Sequence, residues 1–85
     1  MRISYTRNFI KQSKKLNKPI RLNLLERIEL FSNNPLDSEL NNHPLKGKYK
    51  QYRSINVTGD FRALYLTRDD LIIFDIVGTH SQLYG

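Results

Sequence analysis

The chain has 85 residues, of which 39% are apolar and 26% charged, with 14 Lys+Arg against 8 Asp+Glu and a formal charge of +6. Such a length supports one small domain over residues 1–85, whose core can remove only roughly 60–65% of the unfolded surface from water. No cysteine occurs, which excludes a disulfide scaffold, an Fe–S cluster, a thiolate zinc site and a cysteine nucleophile.

Arg2–Tyr5, with β-branched and aromatic positions, reads as a short strand. Thr6 is placed to N-cap a helix running to about Asn17. Its apolar face is Phe9, Ile10 and Leu16, with Lys11, Lys14, Lys15 and Lys18 turned outward. Asn17-Lys18-Pro19 interrupts the chain, and Pro19 suits the first turn of a second helix. There Leu24, Leu25, Ile28 and Phe31 recur at spacings of 3 and 4 as one apolar stripe, which Ser32-Asn33-Asn34-Pro35 stops. The short connection predicts an antiparallel helical hairpin. From Tyr49 onward the period becomes two. Residues 52–57, 61–67 and 71–77 are three β-rich runs, separated by Thr58-Gly59-Asp60 and Arg68-Asp69-Asp70. Ile72, Phe74 and Ile76 share one face of the last run, with Ala63 and Tyr65 toward the same core. The expected fold is α+β: an N-terminal strand and helical hairpin packed on one face of a small, mainly antiparallel sheet, the other face open to a ligand. No apolar run approaches the ~18 residues of a membrane span, and the basic N-terminus lacks the apolar core of a signal peptide. A cytoplasmic location without a membrane partner is expected.

Positive charge is concentrated. Residues 1–25 carry Arg2, Arg7, Lys11, Lys14, Lys15, Lys18 and Arg21 and no acidic residue, residues 26–45 net −3, and residues 46–85 net +2. A basic segment of this kind predicts a polyanionic partner, most often nucleic acid, although a solvated helix face or an acidic protein partner would carry the same charge.

Two histidines occur. His43 opens the turn-rich segment His43-Pro44-Leu45-Lys46-Gly47, and His80 follows the last strand in Gly78-Thr79-His80-Ser81. Each alone is most simply a surface histidine. Together, at loops flanking one meander, they suit RNA phosphodiester cleavage, because imidazole takes and gives a proton near neutral pH. No metal site is expected, for there is no His-x-x-x-His, and Asp69-Asp70 reads as an ordinary turn. A phosphate-binding glycine loop is missing, so no nucleotide cofactor is expected either. Asp60 sits at a hairpin mouth, where turn chemistry alone would explain it. Arg62 points away from Ala63 and Tyr65, onto the open face, and is a better phosphate ligand than Arg53. Phe61 and Tyr84 bracket this region at positions expected to be exposed, where an aromatic ring can stack on a base. A terminal residue closing the sheet edge is the simpler role for Tyr84.

The string His43-Pro-Leu-Lys-Gly-Lys-Tyr-Lys-Gln-Tyr-Arg-Ser, then Gly59-Asp-Phe-Arg-Ala-Leu-Tyr, then Gly78-Thr-His-Ser-Gln-Leu-Tyr-Gly, resembles the RelE/YafQ-type toxins. These are small ribosome-dependent mRNA endoribonucleases of bacterial type II toxin–antitoxin pairs. The resemblance covers residues 42–85, while the basic helical hairpin agrees in architecture. It implies catalytic positions for His43, Asp60 and His80, with His80 as general acid, His43 as base or orienting group, and Asp60 holding the charge and position of the site. It implies RNA contacts for Phe61 and Tyr84, and Lys46, Arg62 and Asn56 complete the candidate substrate-binding set. Asn56 stands where the YafQ-like pattern has a further histidine, and an amide cannot carry the proton. The resemblance further implies metal-independent cleavage through the 2′-OH, binding at the ribosomal A site, and an acidic antitoxin that folds over the site. Two other readings stay open: a ParE-like gyrase-inhibiting toxin, which needs no histidine at these loops, and a non-catalytic RNA- or antitoxin-binding module.

Overall fold

A computed structural model describes residues 1–84. Strand β1 (Arg2–Tyr5) runs into Thr6, which takes the extended conformation and accepts the Phe9 N–H on its side chain, opening helix α1 (Arg7–Lys14). This is the expected N-cap. The helix ends one turn before Asn17, because Asn17 is itself used: its side chain caps helix α2 (Lys18–Asn33) by accepting the Ile20 N–H, with Pro19 in the first turn. The three residues between the helices therefore serve both ends at once.

A 3₁₀ turn at Ser38–Leu40 leads to strand β2 (His43–Pro44), so His43 lies in a two-residue strand rather than in the loop expected of it. After a second 3₁₀ turn at Gly47–Tyr49 come β3 (Arg53–Asn56), β4 (Phe61–Arg68), β5 (Leu71–Thr79) and the short helix α3 (His80–Tyr84). Gly47 has a φ of +65°, a conformation that a side chain would strain. The sheet order is β1-β5-β4-β3-β2, antiparallel except where β1 pairs parallel to β5. Among the described residues no helix is long and apolar enough to cross a membrane.

The helices bury one face of the sheet. Phe9, Leu24 and Phe31 meet Ile55, Ala63, Tyr65, Phe74 and Val77 in one cluster. Phe31 stands edge-on to Tyr65 at 4.9 Å and to Phe74 at 5.4 Å, geometry worth about 0.5–1.5 kcal/mol per pair beyond area burial. Ile10 and Leu25, expected in the core, are 43% and 61% exposed. Only a narrow arc of each helix reaches the sheet, so residues next to Phe9 and Leu24 turn outward.

One irregularity reshapes the site. Leu64 pairs with Ile76 and Tyr65 with Phe74, which leaves Asp75 as the extra residue of a β-bulge in β5. The bulge changes the alternation, so Val77, not Ile76, joins Ile72 and Phe74 toward the core. The opposite face is not bare, contrary to expectation. Leu64 and Ser54, which alternate with core residues and so point to that face, are both 0% exposed.

Candidate active site

The sheet registers lay out this second face. Across it run His43, Ser54, Leu64 and Ile76 in one row, and Asn56, Arg62 and Gly78 in the next. His43 is half-buried, and its Nδ1 lies 2.7 Å from the Asn41 carbonyl oxygen. A carbonyl can only accept, so Nδ1 carries a proton, and the position left for a lone pair on this ring is Nε2. Ser54, directly across from His43, is buried with no partner for its Oγ among the described residues, and the Oδ1 of Asn56 is equally orphaned. Both atoms belong to the site face of β3, where buried polar groups without partners are uncommon.

At the other side of the meander, the His80 N–H donates to the Asp60 carbonyl at 2.9 Å. The last rung of the β4–β5 ladder, Phe61 against Thr79, forces this contact: the residues just beyond it must be neighbours. Thr58 Oγ1 accepts the Asp60 and Phe61 N–H groups, which shapes the turn. The fold thus brings Asp60 and His80 together directly. His43 stands on the second face at the opposite edge, three strand spacings (about 14 Å) across the sheet from β5 and level with Ile76, four residues (about 13 Å) short of His80 along the strand. No hydrogen bond among the described residues links it to Asp60 or His80.

His80 is exposed, and its ring lies 4.7 Å from that of Tyr84, one helical turn on. Tyr84 is 41% exposed and stands edge-on to Tyr49 at 5.8 Å, which stands edge-on to Tyr52 at 5.9 Å. The Tyr52 hydroxyl donates to Asp75 Oδ2 at 2.5 Å. Burial, then the hydrogen bond to the Asp75 carboxylate, push the Tyr52 phenol up to about 12. Three tyrosines and the bulge carboxylate therefore tie α3, and with it His80, to the sheet. None of Tyr49, Tyr52, Asp75 and Ser54 was picked out from sequence. An acidic residue inside the apolar run Ile73-Phe74-Asp75-Ile76 was the available signal.

The remaining candidates are placed unevenly. Arg62 does point to the second face, but its Nη1 donates to the carbonyls of Thr58, Gly59 and Phe61. Part of its guanidinium is thereby spent on the hairpin turn. Phe61 is half-buried and packed on the helical core rather than exposed. Lys46 is exposed at the start of the Gly47–Tyr49 turn. Arg53, set aside from sequence, holds Asn42 Oδ1 at 2.9 Å together with the Tyr65 hydroxyl. Among the described residues no three His, Asp or Glu side chains converge to hold an ion.

The sequence matches, over residues 1–85, the family of YafQ, bacterial toxins of type II toxin–antitoxin systems. The chain belongs to the YafQ family. The mRNA interferase toxin YafQ of Escherichia coli K12 is 35% identical over 75 residues, which cover 88% of this chain and 78% of that one. A crystal structure of YafQ from E. coli BL21(DE3) matches 100% of both chains with a TM-score of 0.79 at 32% identity. YafQ in the E. coli DinJ–YafQ complex does so with a TM-score of 0.77 at 32% identity. The likeness thus spans the whole chain, helical hairpin included, where the sequence motifs carried it for residues 42–85 alone.

Proposed function

We propose that this YafQ-family protein is an mRNA endoribonuclease toxin that cuts by acid–base chemistry through the ribose 2′-OH. Its likeness to the mRNA interferase YafQ supports the activity. What supports the mechanism is that His43 stands on the second face of the sheet, that His80 is exposed just beyond β5 with its backbone held to that of Asp60, and that neither histidine is sealed in the core. His43 Nε2, with its lone pair directed away from the Asn41 carbonyl, takes the 2′-OH proton. The 2′-oxygen attacks phosphorus, the P–O5′ bond breaks, and His80 donates a proton to the departing 5′-oxygen. The products are a 2′,3′-cyclic phosphate and a 5′-hydroxyl. Asp60 holds the backbone of His80 in place through its carbonyl, while Lys46 and the free nitrogens of Arg62 balance the phosphate. Asn56 is a hydrogen-bonding group here and does not relay a proton.

The substrate is presented on the ribosome, and α1 supplies the contact to ribosomal RNA. Lys11, Lys14, Lys15, Lys18 and Arg21 are exposed, and the ion pairs among the described residues, Arg2–Asp70 and Arg27–Glu39, use none of them. An acidic antitoxin neutralises the same charge, in keeping with the DinJ–YafQ complex. Primer extension on mRNA after brief induction tests the function. Cuts in phase with codons are expected from the parent, and His80→Ala lowers cleavage by at least ~10². Arrested cells with uncut mRNA would overturn the nuclease reading in favour of a gyrase inhibitor or a binder.

A further inference from the structure

Beyond Phe74, the outer edge of β5 has no strand beside it, since β1 pairs only with Leu71–Phe74. Two side chains take over its N–H groups. Gln12 Oε1 accepts from Val77 at 2.9 Å, and Gln82 Oε1 accepts from Thr79 at 2.8 Å. Because a backbone N–H requires an acceptor, the oxygen of each amide faces the strand and each NH₂ faces away from it. Gly78 makes the second contact possible: a Cβ there would come within 3.1 Å of Gln82 Oε1. Both glutamines line a cavity of about 760 Å³, with Phe61 and Tyr49 as aromatic walls and Lys15 as the one charged lining residue among the described residues. Small-ligand sites occupy about 300–1,000 Å³.

We propose that this cavity is a base-reading subsite that takes one nucleotide of the RNA beside the scissile bond, and that Gln12 and Gln82 read its base. The inference rests on the nuclease reading, because the cavity's rim is the segment that carries Asp60 and His80. Four amide N–H donors face a base there, an aromatic wall offers its ring face, and Lys15 balances the phosphate. The paired amide donors favour a base edge with two acceptors. Guanine, through N7 and O6, meets that demand, whereas adenine sets its amino group beside N7.

The test measures binding of 2′-O-methyl oligoribonucleotides, which cannot be cut, with guanine or adenine at each position in turn, to the parent, Gln12→Glu and Gln82→Glu. Each substitution keeps the oxygen that holds β5 and removes the NH₂, so the strand edge stays covered. The parent is expected to prefer guanine by roughly tenfold at one position, and the preference should fall toward unity in either variant. No preference in the parent, a preference unchanged in both variants, or an equal loss for every oligonucleotide would overturn the subsite. Cleavage of mRNA by the parent is followed in parallel. Intact cleavage without base preference sinks the subsite alone, and base preference without cleavage sinks the nuclease reading alone.

Discussion

At the scale of single residues, the site depends on how Tyr52 and Asp75 share one proton. The phenol's pKa is raised from the usual 10 to about 12 by burial and by the carboxylate, so the folded state holds that proton more tightly than the unfolded chain does. The resulting stabilisation is complete below pH 10 and is lost as the pH rises through about 12. Tyr52→Phe is expected to cost about 1.5 kcal/mol, at the lower end for a hydrogen bond to a charged group because the pair is only half-buried. Denaturant midpoints at pH 7 and pH 11 check this, since the difference between parent and variant should shrink at the higher pH. The rate of RNA cleavage by the variant should also fall, because the Tyr52 ring that stands edge-on to Tyr49 loses its anchor to Asp75.

At the scale of elements, the first helix has two separable jobs. Its cap is structural. Thr6→Ala removes the acceptor for the Phe9 N–H and the long contact from Thr6 Oγ1 to the Asp75 carbonyl, and should cost about 1 kcal/mol in thermal or denaturant unfolding without changing ribosome affinity. Its outer face is electrostatic. If about six counterions are released on binding RNA, affinity falls with salt at a log–log slope of roughly −4. Lys14→Glu with Lys15→Glu should weaken binding and flatten that slope, measured by ribosome pelleting across a salt series. An unchanged slope would take α1 off the binding face. The existence and type of α1, α2 and the three long strands were legible in the sequence because capping side chains and apolar period are local properties. Ile10 and Leu25 misled, because periodicity marks an apolar stripe but not how much of it the sheet can cover. Asp75 misled in the other direction: a single extra residue in β5 reversed the alternation after it, and no local signal gives the register of a strand against its partner.

At the scale of the whole molecule, the sheet is organised around two unlike faces. One is an aromatic core under the helices. The other carries His43, with His80 just beyond the end of β5, and on it Leu64 and Ser54 are buried. Of the net charge of +6, residues 1–25 carry +7 and residues 26–45 carry −3, so the charge is polarised along the chain toward its first helix.

The amino-acid sequence by itself determined the element order, the concentrated positive charge, and the motif segments His43–Gly47, Gly59–Tyr65 and Gly78–Gly85 that mark the family, the last residue of which lies outside the described residues. Composition also settled that no thiol chemistry operates. Only the tertiary structure decided which chemical groups meet. The Asp60–His80 contact arises because hairpin register makes neighbours of residues twenty apart, and the Tyr84–Tyr49–Tyr52–Asp75 tie arises because a bulge turns one carboxylate toward a loop. The glutamines at the open edge of β5 gave no signal in the sequence, since an amide's role is fixed by the backbone group it faces, and that facing exists only once the chain has folded.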